Sequence, residues 1–158
     1  MAEIKNFPAD QEAAKRKNLK AEKLQAYFDA NKLNFFQKQE LHDETDTVLF
    51  RSAVEVEGQR LPVGIITDNT IYTIIRTQVG TGLVKDANKA AFLEYLNTLN
   101  RNYKVFKYIA AEDGDVYLDA CIPTSQEGFE PEMVRIVLDV IVDHLQENYK
   151  EVMKQAWK

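Results

Sequence analysis

The chain has 158 residues, 45% of them hydrophobic, and a formal net charge of −5 at pH 7. This length predicts a single domain, residues 1–158, with a sizeable core. The acidic balance argues against a nucleic-acid partner, which would require a basic surface. No apolar run approaches the ~20 residues of a membrane span, and the N-terminus lacks the apolar core of a signal peptide. The single cysteine, Cys121, excludes an intramolecular disulfide and fits a reducing compartment. Taken together, these features lead us to expect a cytoplasmic protein with no membrane partner.

Residues 1–46 predict an N-terminal helix followed by an acidic connector. Good helix formers dominate residues 9–33, and Leu24, Tyr27 and Phe28 form an i, i+3, i+4 apolar stripe. The acidic residues between Glu40 and Asp46 match neither an EF-hand loop nor a helical zinc spacing. We therefore interpret this connector as a solvated loop and expect no metal site.

Residues 47–77 predict three strands. A two-residue turn at Gly58 and Gln59 would join the first two strands. The predicted pairs, all on one buried face, are Val56 with Leu61, Val54 with Val63, and Ser52 with Ile65. The third strand, residues 71–77, fits either face.

The next stretch, residues 78–85, predicts a loop that contains Gly80 and Gly82. A strand, a GxG and a helix resemble part of a dinucleotide fingerprint, but the third glycine is missing. We therefore expect no nucleotide or other cofactor. Asp86 is a suitable N-cap for a helix over residues 87–100.

Residues 103–121 predict a hairpin around Asp113 and Gly114, the strongest hairpin signal in the chain. With those two as the loop, Ile109 faces Leu118. The core face would then contain Val105, Ile109, Ala111, Val116, Leu118, Ala120 and Ile122. The opposite, mixed aromatic face would contain Phe106, Tyr108, Tyr117, Asp119 and Cys121.

A last helix is predicted from Pro131, with Phe129 and Val134 as a hydrophobic staple. Its buried stripe comprises Val134, Val137, Leu138, Ile141, Leu145, Tyr149 and Val152, thickened by Ile136, Val140 and Val142. His144 lies at the margin of this stripe, which favours a structural role. The complete order is α-β-β-β-α-β-β-α, with hairpins rather than crossovers. That order predicts an α+β fold, a largely antiparallel sheet with packed helices.

The C-terminal half resembles the YbjN family, whose fold is similar to that of type III secretion chaperones. The resemblance rests on residues 99–106, 113–116 and 118–123, and on Phe129 with Pro131 and Glu132. It covers roughly residues 48–149. It implies a small bacterial protein that binds other proteins, often as a homodimer and sometimes in regulation or stress. It supplies no established active site.

These observations predict a non-enzymatic protein-binding module, chaperone-like or a regulatory adaptor. The predicted protein-binding residues are Phe106, Tyr108 and Tyr117, because an uncovered aromatic face is rare on a monomer. A helix of the same chain that covers this face is the competing interpretation. A small-molecule sensor with a ligand between sheet and helices is the alternative function. The sequence shows no Ser/His/Asp or Cys/His arrangement that would indicate an enzyme.

Overall fold

The computed structural model describes residues 16–158. Within them lie three helices and six strands, numbered here in chain order. These are α1 (Leu19–Ala30), β1 (Gln37–Glu40), β2 (Val48–Val56), β3 (Gln59–Thr67), β4 (Thr73–Gly80), α2 (Lys89–Asn102), β5 (Lys107–Ala110), β6 (Val116–Cys121) and α3 (Pro131–Ala156). The predicted α+β class is confirmed.

The six strands form one sheet in the order β1-β2-β3-β4-β6-β5, and every neighbouring pair is antiparallel. Strands β4 and β5 therefore run parallel to each other with β6 between them. The segment that joins β4 to β5 contains α2, which packs against β5. The prediction of hairpins rather than crossovers was wrong at this point.

The helices cover one face of the sheet. Along β3, Leu61, Val63 and Ile65 are buried, whereas Pro62 and Gly64 on the opposite face are more accessible. This alternation is the signature of a sheet with one packed face. On the packed face, Phe28 of α1 meets Phe50 of β2 edge-on, with ring centroids 5.6 Å apart.

Strand β1 is an element that the sequence did not predict. It lies at the edge of the sheet, paired only with β2 among the described elements. All four of its residues are exposed, so no apolar alternation marks it. It occupies part of the predicted acidic connector.

The β2–β3 hairpin has a different register from the predicted one. Its turn is Glu57–Gly58, both with positive φ (48° and 75°), which is typical of a type I′ turn. Val54 therefore pairs with Leu61 rather than with Val63. Because the shift is two residues, the buried face is still the predicted one.

The β5–β6 register differs by one residue, which exchanges the two faces of β5. Tyr108 pairs with Leu118, and Ile109 pairs with Tyr117. The cause is a three-residue loop: the Gly114 N–H donates to the Ala111 carbonyl, and Gly114 has a φ of 87°. This extra loop residue is the G1 bulge of three-residue hairpins.

The three residues predicted to bind a protein consequently do not form one exposed surface. Phe106 and Tyr108 are 2% and 4% exposed and belong to the core under the helices. Tyr117 lies on the opposite face of the sheet. Val105 and Ile109, which the prediction placed in the core, are instead exposed.

The helix bounds depend on local capping. Helix α1 begins after Asn18, whose side chain accepts a hydrogen bond from the Ala21 N–H. The part of the predicted helix before residue 16 lies outside the described residues. Helix α2 begins after Asn88 rather than Asp86, and β4 continues to Gly80, into the predicted loop.

Helix α3 begins at Pro131 as predicted, and the staple residues Phe129 and Val134 are both buried. Ile136 and Val140 are exposed, so they do not thicken the core stripe. His144 is 4% exposed and lies inside the core rather than at its margin.

Candidate functional site

The face of the sheet that no helix of residues 16–158 covers carries a mostly polar row of residues that crosses all six strands. The strand registers align one residue from each strand. This central row comprises Gln37, Arg51, Gly64, Arg76, Asp119 and Lys107.

Two mainly apolar rows flank the central row, each two residues away along the strands. On one side the pairing aligns Leu49, Ile66, Ile74 and Cys121. On the other side lie Ala53, Pro62, Gln78, Tyr117 and Ile109. The three rows together are called the open sheet face below. A contiguous accessible group of apolar residues with polar neighbours often marks a surface that binds another molecule.

A shallow groove of about 470 Å³ lies in the open sheet face above the centre of β3. It is lined by Leu49, Arg51, Ser52, Pro62, Val63, Gly64, Ile66, Arg76, Gln78 and Tyr117. Gly64 lies between Arg51 and Arg76 in the central row. Because Gly64 has no side chain, the floor of the groove is open between the two arginines.

The charges of the central row differ in how they are held. Arg76 donates to both carboxylate oxygens of Asp119, at 2.9 and 2.6 Å, and this hydrogen bonding raises the arginine pKa. The Arg76 guanidinium also lies 5.0 Å from the centre of the Tyr117 ring. Arg51, in contrast, forms no ion pair with any residue of the described range. One guanidinium beside the groove is therefore available to an anionic group.

The two edge strands of the sheet, β5 and β1, oppose the addition of another strand in different ways. At β5, the Asn100 side chain accepts from the Tyr108 N–H at 2.7 Å and donates to the Tyr108 carbonyl at 3.1 Å. A single amide thus satisfies the outward backbone groups of Tyr108, in the middle of this edge, which another strand would otherwise use. At β1, the edge is short and carries the Lys38–Glu40 ion pair, which discourages strand addition. The broad face, rather than an edge, is the accessible feature.

Comparison with known proteins gives the family of the chain. Residues 20–153 match YbjN, described as "Putative bacterial sensory transduction regulator". The chain belongs to the YbjN family. Among solved structures, this YbjN chain is similar to a chain of the "Crystal Structure of the ExsC-ExsE Complex", with a TM-score of 0.56 and 18% sequence identity. The alignment covers 83% of this chain and 92% of that one, and at this identity it shows a shared fold. No curated protein matches the sequence.

The helix side of this YbjN chain holds a buried histidine. His144 Nε2 lies 2.7 Å from the Tyr108 hydroxyl, and the rings of Tyr103 and Phe106 pack around the imidazole. Burial lowers the pKa of His144 to about 4 and raises the pKa of Tyr108. An imidazole that is neutral and enclosed by aromatic rings supports the core, which agrees with the structural role that the sequence favoured.

A buried lysine near the start of α1 was not detected from the sequence. The Lys20 side chain is fully buried, and its ammonium group donates to the Tyr72 carbonyl. The Asp68 carboxylate lies 3.9 Å away, while burial lowers the lysine pKa. In the sequence, Lys20 belongs to a polar stretch of a helix, and only its long-range partners distinguish it.

The acidic connector and the glycine loop use their polar groups within the chain. The Asp43 carboxylate accepts from the Thr47 N–H, which lowers the Asp43 pKa. Asp46 accepts from the Asn18 N–H, and the Gly82 N–H donates to Asp115. Within residues 16–158, no three His, Cys, Asp or Glu side chains cluster in a way that suits a metal ion.

A small apolar cavity of about 140 Å³ lies between α1, the segment that joins α1 to β1, β3 and α3. Its walls include Phe28, Leu33, Phe36, Val134 and Leu138. Pockets for drug-sized ligands usually measure ~300–1,000 Å³, so this one is too small for such a molecule. In the part of the chain described, no helix is both long and apolar enough to cross a membrane.

Proposed function

We propose that this YbjN chain is a non-enzymatic protein-binding adaptor whose open sheet face receives a protein partner. The observation that carries the proposal is the one-sided sheet. Leu49, Ile66, Ile74 and Tyr117 project from the face that no helix within the described residues covers, beside a groove of about 470 Å³. Of the three protein-binding residues that the sequence suggested, Tyr117 stays in the proposal.

The fold supports this proposal through its neighbour. A chain of the ExsC–ExsE complex has the same fold, and that complex is an assembly of two proteins. A role as a partner-binding adaptor in bacterial regulation is also consistent with the description of the YbjN family. We extend protein binding to the present chain as a proposal, together with a cytoplasmic location suited to its single, exposed Cys121.

The alternative, a small-molecule sensor, would use the small apolar cavity beside α1 and α3. Its volume of about 140 Å³ is enough for a ring the size of benzene but not for a typical metabolite. The open sheet face offers more than three times that volume and a mixture of charged and apolar groups. Protein binding is therefore the better-supported function.

A homodimer is a further part of the proposal. Met133, Ile136 and Val140 are exposed on α3 at i, i+3 and i+7, and each is more than 40% accessible. This spacing places them along one seam, which a second copy related by a two-fold axis can bury against its own seam. The seam lies on the helix side, so a dimer of this kind leaves the open sheet face free.

The native cysteine gives a direct test, because Cys121 is the single cysteine and is exposed on the open sheet face. The protein is labelled at Cys121 with a maleimide benzophenone and irradiated in a lysate of the organism that encodes it. The matched control is Cys121→Ser with Glu94→Cys, which moves the label to an exposed position on α2.

We expect a discrete protein adduct from the Cys121 label that an excess of unlabelled protein suppresses. The control label should give little of the same adduct. The proposal is contradicted if Cys121 gives no specific adduct, or if the helix-side label captures the same protein equally well.

A further inference from the structure

We infer that the partner presents an extended acidic segment of the pattern apolar-x-acidic-x-apolar, with its carboxylate above Gly64 and paired to Arg51. This inference rests on the proposed function, because it assigns the chemistry of the partner to the open sheet face. Three independent observations carry it: the glycine, the free guanidinium and the spacing of the rows.

Gly64 lies in the middle of β3, where a glycine weakens a strand. Its φ is not positive, so its backbone does not require a glycine. A Cβ at this position would meet only the far end of the Leu49 side chain, at 3.1 Å, and no backbone. This contact is tight, but the end of the Leu49 side chain can move aside, so internal packing favours a small residue here without requiring glycine. An open floor for a ligand group between Arg51 and Arg76 accounts for the absence of any side chain.

Arg51 determines the charge of that group. Among the described residues it has no ion-pair partner, whereas Arg76 is already engaged by Asp119. The central row holds three cations and one carboxylate, in a chain whose net charge is −5. Lys107 is directed away, since its ammonium donates to the Asn100 and Tyr103 carbonyls. A carboxylate is the group that a free guanidinium binds with two parallel hydrogen bonds.

The spacing of the rows determines the pattern around the carboxylate. Neighbouring rows are two residues apart along the strands, which is about 6.6–6.8 Å. An extended peptide that lies along the strands presents its i, i+2 and i+4 side chains at the same interval. With the acidic side chain over Gly64, the two flanking side chains meet Leu49 and Ile66 on one side and Pro62 and Tyr117 on the other.

The test is a selection of random heptapeptides displayed on phage, carried out on the immobilised full chain. The same library is selected on Arg51→Glu and on the matched control Arg135→Glu, which changes an exposed arginine on α3. Far-UV melting of each variant confirms that it is folded, which we expect because Arg51 is exposed and has no ion-pair partner among residues 16–158. A Gly64→Leu variant fills the groove without changing any charge.

We expect the wild type and Arg135→Glu to select peptides with Asp or Glu between apolar residues at i−2 and i+2. Synthetic versions should bind Arg51→Glu about 10- to 100-fold more weakly, as expected for a lost charged hydrogen bond. Gly64→Leu should weaken them as well. Selected peptides without an acidic residue, or with unchanged affinity for Arg51→Glu, overturn the inference and leave the proposed function standing. Recovery of no peptide at all counts against both.

Discussion

At the scale of single residues, His144 links the helices to the sheet and makes stability depend on pH. Its imidazole is 4% exposed, with the Tyr108 hydroxyl as a hydrogen-bond partner and the Asn148 amide beside Nδ1. The Tyr103 and Phe106 rings pack against the imidazole. Burial holds the folded-state pKa at about 4, below the ordinary value of 6.5. Protonation is therefore disfavoured in the folded chain.

The sign of the pH effect follows from this lowered pKa. Above pH 6.5 the imidazole is neutral in both states, and between about 6.5 and 4 only the unfolded chain takes up the proton. We expect the free energy of unfolding to fall by roughly 3 kcal/mol across this range from His144 alone. The Tyr108 phenol, the hydrogen-bond partner of His144, does not titrate in this pH range, because burial raises its pKa.

Urea denaturation at a series of pH values measures this dependence. His144→Gln should flatten the profile between pH 6.5 and 4, although its stability at pH 7 will be lower. His42→Gln, at a histidine that is 78% exposed, is the control and should retain the wild-type profile. An unchanged slope in His144→Gln would show that another group causes the acid sensitivity.

At the scale of elements, the β5–β6 register decides which aromatic residues form the core. Tyr108 is 4% exposed and Ile109 is 42% exposed, although they are adjacent. Tyr108→Asp should unfold the domain, since burial of an unpaired carboxyl group costs several kcal/mol of a ~5–15 kcal/mol stability. Ile109→Asp should fold. Circular-dichroism melts of the two variants compare them directly, and the opposite order would restore the register predicted from the sequence.

The loop of the same hairpin depends on Gly114 for two reasons. Its φ is 87°, and an added Cβ would lie 2.4 Å from the Val84 carbonyl oxygen. Gly58 has a similar φ of 75° but open space around it. We expect Gly58→Ala to cost about 1 kcal/mol, and Gly114→Ala roughly 3 kcal/mol because steric strain is added. Equal costs in chemical denaturation would contradict the close approach of the two loops.

The sequence predicted those elements whose signals are local. Pro131, with Phe129 and Val134 around it, located α3 because capping and stapling act within one turn. The hairpin registers failed because Gly58 and Gly114 fit more than one turn type, and the choice depends on the twist of the complete hairpin. Strand β1 was missed because an exposed edge strand has no buried face.

At the scale of the whole molecule, the candidate site depends on long-range pairing. Arg51, Gly64, Arg76 and Asp119 come from four different strands and form one row only in the correct register. The sequence offered one indirect signal, the isolated Gly64 inside a strand pattern, which often marks a close approach to another group. The sequence predicted a protein-binding function, which stays a proposal, but it could not predict the open sheet face as its surface, because a shift of one residue exchanged the faces of β5.

The proposed homodimer is tested at this scale by light scattering. Ile136→Glu with Val140→Glu places two carboxylates on the exposed seam of α3, where they should not affect folding. We expect the parent to have the mass of two chains and the variant the mass of one. Glu94→Lys, on the exposed surface of α2, is the control and should stay dimeric. A monomeric parent, or a variant that remains dimeric, contradicts this interface.

The open sheet face as the binding surface is the central claim, and methyl NMR tests it most directly. Ile66 and Ile74 lie on the open sheet face, whereas their chain neighbours Ile65 and Ile75 are fully buried on the helix side. The isoleucine-labelled protein is titrated with a selected acidic peptide. We predict shifts of the Ile66 and Ile74 methyl signals with little change at Ile65 and Ile75. Shifts confined to the helix-side methyls would contradict the claim and indicate binding in the small apolar cavity beside α1 and α3, which Ile65 lines.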